Sequence, residues 1–224
     1  MIRISKLLTA SLLAVLSAHT STVAQRSGLT IGQARQILAG KDQSTKTLGT
    51  ISLQGLDYSR EIEMGQGFRV IVLSRHMGGG LLAFSPEGSL ENSIATDEIT
   101  WFQLIDLSND QASQLVTEEV IGRGTGITVK EFRLYAIDKV GIRLVWNRLS
   151  YRAESLWNAG SSAHQVKETQ CFLRFDEAGA GMPRRMTYLE LLPSGVDYKK
   201  TVFEISGATI REITSQTGEI NRQH

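Results

Sequence analysis

Asp106, Ser108, Asp110 and Gln114 put oxygen-bearing side chains at positions one, three, five and nine of a single short stretch. That spacing lets a tight loop wrap a hard cation such as calcium. The set carries only two formal negative charges, and Gln111 stands where glycine would permit the sharp turn. Calcium affinity follows ligand charge, so no bound cofactor is expected, and the stretch reads as a β-turn in which Asp106 and Asp110 cap backbone amides. The alternative is a weakly calcium-stabilised interaction domain with Asp106, Ser108, Asp110 and Gln114 as ligands.

The stretch from Asp106 to Val116 resembles the FG-GAP/VCBS type of repeat, whose loops run Asp-x-Asp-x-Asp-Gly-x-x-Asp before an apolar strand. Only this segment and its flanking strands carry the likeness. It implies an extracytoplasmic β scaffold of the kind met in β-propellers and in cell-surface adhesion or secreted binding proteins. A closed propeller needs about four or more blades, and the chain holds one such loop.

Other chemistry is thin. Cys171 is the only cysteine, which excludes an intramolecular disulfide. In a strand it would share a face with Leu173 and Phe175 while Gln170 and Arg174 take the other, so a buried, inert thiol is expected. His76 and His164 lack zinc-ligand spacing and are expected on exposed turns or loops. Glu118 and Glu119 are neighbours on a strand and point to opposite faces, whereas Glu61 and Glu63 share one, read as a solvated face. No Gly-x-Ser-x-Gly turn is present. The glycines at 122, 124 and 126 precede a strand-like Ile127-Thr128-Val129, which suits a hairpin turn and not a phosphate cradle. Met77 to Gly80 likewise reads as a mobile turn. Trp146 fits a hairpin core, leaving Tyr151 and Trp157 as a candidate sugar platform.

The elements that must position these residues begin with an address. Arg3 and Lys6 precede an apolar run at 7–16, and Thr22-Val23-Ala24 offers small residues before a cut, the pattern of a secretory signal over 1–24. The run is about half the length needed to span a bilayer. A periplasmic or secreted protein without stable membrane insertion is therefore expected; an uncleaved anchor is the competing reading. Loss of Arg3 and Lys6 would take the formal charge from +1 to −1, which favours neither nucleic acid nor an anionic surface.

Residues 25–47 form a tail, a short helix and a linker, the helix opening on Thr30 with Gln33 as a capping box. From 48 to 213 the period changes to two, predicting a mainly β, antiparallel domain, either a sandwich or blade-like meanders. Strands are expected at 49–54, 61–74, 81–84, 100–107, 115–121, 127–137, 142–149, 165–175, 185–192 and 198–205. The clearest unit is a hairpin in which Phe132, Leu134 and Ala136 alternate opposite Ile142, Leu144 and Trp146, with a bulge near Lys130-Glu131. A strand-like 208–213 leads into a flexible tail at 214–224. The expected function is a non-catalytic binding or structural module for a protein or glycan partner. A hydrolase whose acids converge only in three dimensions is the alternative.

Overall fold

A computed structural model describes residues 28–40, 46–105, 113–138, 141–157, 164–176, 184–192, 197–206 and 208–220. The fold is mainly antiparallel β, as the period-two pattern requires, with one short helix among the described residues, α1, at Ile31–Ala39. Both halves of the capping box form: the Thr30 hydroxyl accepts from the Gln33 N–H, and the Gln33 side chain accepts from the Thr30 N–H. A two-stranded ribbon follows, β1 (Thr47–Leu48) and β2 (Ile51–Ser52).

The first large sheet is a meander of β3 (Leu56–Glu63), β4 (Arg69–Arg75), β5 (Gly78–Phe84) and β6 (Leu90–Thr96). The second runs in unbroken order through β7 (Glu98–Ile105), β8 (Ser113–Gly124), β9 (Ile127–Asp138), β10 (Gly141–Trp157), β11 (His164–Phe175), β12 (Arg184–Leu191), β13 (Asp197–Ser206) and β14 (Thr209–Glu219).

Continuous apolar runs explain how these sheets stack, because a strand buried on both faces needs apolar residues at both parities. In β4, Val70 and Val72 face β7–β10, while Ile71 and Leu73 face α1 and the ribbon. In β8, Leu115 packs toward β3–β6, and its neighbour Val116 packs the opposite way. That opposite way is occupied by the sheet itself. Its second half curls back, so that Cys171, Met186, Tyr188, Phe203 and Ile205 of β11–β13 meet Ile105, Val116, Leu134 and Trp146 of β7–β10. The result is four layers: helix and ribbon, β3–β6, β7–β10 and β11–β14. Register shifts on β7, β8, β10 and β14 supply local bends of the kind that sharpen strand twist.

Several expectations are corrected. The stretch 61–74 is two strands, because Gly65–Gly67 forms a 3-10 turn with Gly67 at φ 75° and the Met64 N–H donating to Phe68 O at 2.7 Å. Alternation continues on both sides of this turn, which hides it from a period count. The polar strand β6 has little apolar alternation and forms because β5 offers it a ladder. Gly78, Gly79 and Gly80 are not a mobile turn but the buried start of β5. A Cβ on Gly79 would lie 2.7 Å from Leu73 O and 2.8 Å from Asp97 O, so close backbone approach requires glycine there.

Leu144 is exposed, since a register shift between Leu144 and Trp146 rotates it out of the hairpin core. The irregularity expected near Lys130 exists, but the extra residues are Ser150 on β10 and Ile121 on β8, while β9 runs straight. Within the tail expected at 214–224, β14 continues to Glu219 by pairing with β13, and residues 221–224 lie outside the described residues.

Candidate functional site

Three places gather chemistry-bearing side chains. The first is Glu119 on β8, fully buried and serving both faces of a charge cluster. Its Oε1 accepts from the Thr117 hydroxyl at 2.7 Å and the Tyr135 hydroxyl at 2.8 Å. Its Oε2 accepts from the Asp97 N–H at 3.1 Å and from Arg133 at 2.8 Å. Arg133 also reaches Asp97 at 3.0 Å and Glu131 at 3.2 Å. Burial opposes the guanidinium charge, yet the surrounding carboxylates outweigh it and raise the Arg133 pKa. Burial, then the charge of Glu119, pushes the Tyr135 phenol far above its ordinary value. Arg133 and Tyr135 therefore keep their protons near neutral pH, and the cluster clamps the β6–β7 connection to β8 and β9.

Glu118 points the other way, as strand parity demands. Burial opposes its ionisation, but hydrogen bonds from Thr100 at 2.7 Å and Lys130 at 3.1 Å prevail and lower its pKa. The two acids therefore belong to separate networks. Glu61 is tied to Arg35 at 2.7 Å, which fastens α1 to the edge of β3–β6, and the Arg35 hydrogen bond lowers its pKa.

The second place is the turn between β4 and β5. Met77 sits at φ 62°, and its N–H and that of His76 are held by Glu98 at 3.2 Å and Asp57 at 2.8 Å. The exposed His76 ring lies 3.4 Å from Glu98, which Arg123 also approaches at 3.2 Å. Its carboxylates are spent on turn amides and cations, consistent with an exposed turn histidine.

The third is an open groove of about 540 Å³ on the outer face of β11–β14. Phe172 on β11 stands opposite Leu189 on β12, which stands opposite Lys200 on β13. In the next row Leu191 faces Tyr198, and Arg174 pairs across from Thr187. Ile220, just beyond β14, completes the lining. Phe172 is 50 % exposed and Ile220 40 %, unusual for large apolar side chains sharing one surface. Two cations border this apolar floor. Arg174 is bound to Asp176 at 2.6 Å, whereas Lys200 makes no ion pair among the described residues.

Asp106, Ser108 and Asp110 lie outside the described residues, and Gln114 is wholly buried at the start of β8. Among the described residues no group of three or more His, Cys, Asp or Glu is placed to hold a metal ion. Tyr151 is on β10 with its hydroxyl 3.3 Å from Glu168; the side chains of Trp157 and His164 lie outside the described residues. Trp146 is core, as expected. The groove left a partial signal in the sequence, since Phe172 shares the parity of Gln170 and Arg174 opposite to Cys171, but parity does not say whether that face meets water or another layer.

Cys171 lies on the opposite, inner face of the same strand, buried as expected. The Tyr188 hydroxyl is 2.9 Å from Leu149 O and 3.1 Å from Cys171 Sγ. Burial pushes the thiol up to about 11 from 9.0. Because the folded value is the higher one, the thiol adds stability below about pH 9 that is lost as pH rises toward 11. Alkylation by iodoacetamide at pH 8 should be at least about a hundredfold slower in the folded chain than in urea, read by mass spectrometry. Equal rates would place the thiol outside the core.

No helix among the described residues is long and apolar enough to cross a membrane. In comparisons with known proteins, the chain matches no family model, no curated protein and no solved structure.

Proposed function

We propose that the chain is an exported, non-catalytic binding module, and that its ligand surface is the outer face of β11–β14. The observation that carries this reading is an apolar floor of exposed Phe172 and half-buried Leu189 and Leu191 beside two cations. Water-exposed apolar side chains clustered on one face cost free energy that a ligand recovers by covering them. The acids support the same side of the choice. Glu119, Asp97 and Glu131 share one guanidinium, and Glu118 answers to a lysine, so among the described residues these carboxylates act as internal ties. The leader-like 1–24 supports delivery outside the cytoplasm, where an unbridged domain relies on its three apolar clusters.

The test is titration with an anionic apolar dye, 1-anilinonaphthalene-8-sulfonate. One saturable site with a blue-shifted emission is expected on the folded chain, and Leu189→Glu should weaken it at least about tenfold with the melting transition retained. Unsaturable binding, or a site indifferent to Leu189→Glu, rejects the reading.

A further inference from the structure

We propose that the groove on β11–β14 takes the hydrocarbon chain of a free, single-tailed amphiphile whose anionic head pairs with Lys200. This rests on the binding-module reading above and names its ligand class. The argument starts from what the floor lacks. The groove lies on a sheet face, and the backbone groups of β11, β12 and β13 are already consumed by ladders on both sides. A peptide laid across that face would bury amides with few partners, which is costly. A polymethylene chain has no such requirement.

The polar complement points the same way. Lys200 stands in the same cross-strand row as Phe172 and Leu189, each step about 5 Å, so an ammonium closes one end of an apolar row. It makes no ion pair among the described residues, while Arg174 is already bonded to Asp176. A cation without an ion pair among the described residues, at the end of an apolar row, is complementary to one anionic head on one tail. The groove volume of about 540 Å³ falls within the range of small-ligand sites.

Isothermal titration of the full chain with octanoate, decanoate and dodecanoate, each kept below micelle formation, tests this. Affinity should rise about two- to fourfold per added methylene until the groove is filled, as apolar burial requires. Lys200→Glu should weaken dodecanoate at least about tenfold and bind dodecyltrimethylammonium no worse than the parent; Lys200→Gln should give a smaller loss. Both substitutions sit on a solvent face, and retained thermal transitions confirm folding. Affinity independent of chain length, equal binding of the ammonium by the parent, or indifference to Lys200→Glu overturns the proposal. So does co-sedimentation with anionic vesicles in a chain that does not bind dodecanoate. If the dye site persists through any of these failures, only the ligand class falls; if dye binding is also absent, the module reading falls with it.

Discussion

Arg133→Met should destabilise the chain by about 3–5 kcal/mol, a large share of the roughly 5–15 kcal/mol that holds a typical domain together. The loss follows from what stays behind. Glu119 is fully buried, and without the guanidinium its charge would face only the Thr117 and Tyr135 hydroxyls and the Asp97 N–H. Asp97 and Glu131 would lose the same cation. For a chain of this size the melting midpoint should fall by roughly 6–20 °C in differential scanning calorimetry. Adding Glu119→Gln to Arg133→Met should recover part of the loss, because the uncompensated charge is then gone. A single variant that melts within about 2 °C of the parent would mean that the cluster is solvated and not a clamp.

Trp146→Ala should cost about 3–5 kcal/mol by opening a cavity inside the curl. The indole stands edge-on to Tyr188 and Phe203, with ring centroids 6.1 and 5.6 Å away, and the Arg148 guanidinium lies 5.9 Å from its ring. It is the largest side chain between β7–β10 and the returning β11–β14. Hydrogen exchange should therefore show β12 and β13 losing protection before β3–β6. Trp146→Phe makes a sharper comparison. The indole N–H has no hydrogen-bond partner among the described residues, so removing it relieves an unsatisfied donor and offsets part of the lost contact. Phenylalanine should thus cost well under half of what alanine costs. Uniform loss of protection across all layers would instead make the curl one cooperative unit with the rest.

Much of the fold was legible, and the reason can be traced through particular residues. Thr30 and Gln33 act within one turn of chain, so the helix start needs no tertiary information. The alternation around Phe203 and Ile205, and around Cys171 to Phe175, encodes strands and their inner faces. Where burial occurs on both faces, the alternation vanishes and boundaries blur, as in β4 and β5. Where it occurs on almost none, as in β6 and β14, only a partner strand makes the segment a strand.

The candidate site was less legible than the fold. Parity separates Glu118 from Glu119, but whether a face meets water or another layer depends on residues far away in the chain. Glu119 is buried because Asp97 and Arg133, 22 and 14 residues away, close over it. Phe172 is exposed because the sheet curls with that face outward.

By itself the sequence determined the capped helix opening at Thr30, antiparallel strands, no intramolecular disulfide and a thiol turned inward, since each of these follows from local geometry and residue type. Only the tertiary structure decided that one sheet folds back on itself, which acids become internal ties, and that an apolar row beside Lys200 is left facing water. Those outcomes depend on which layers meet, and layer contact is a sum over residues distant in sequence that no short-range period records.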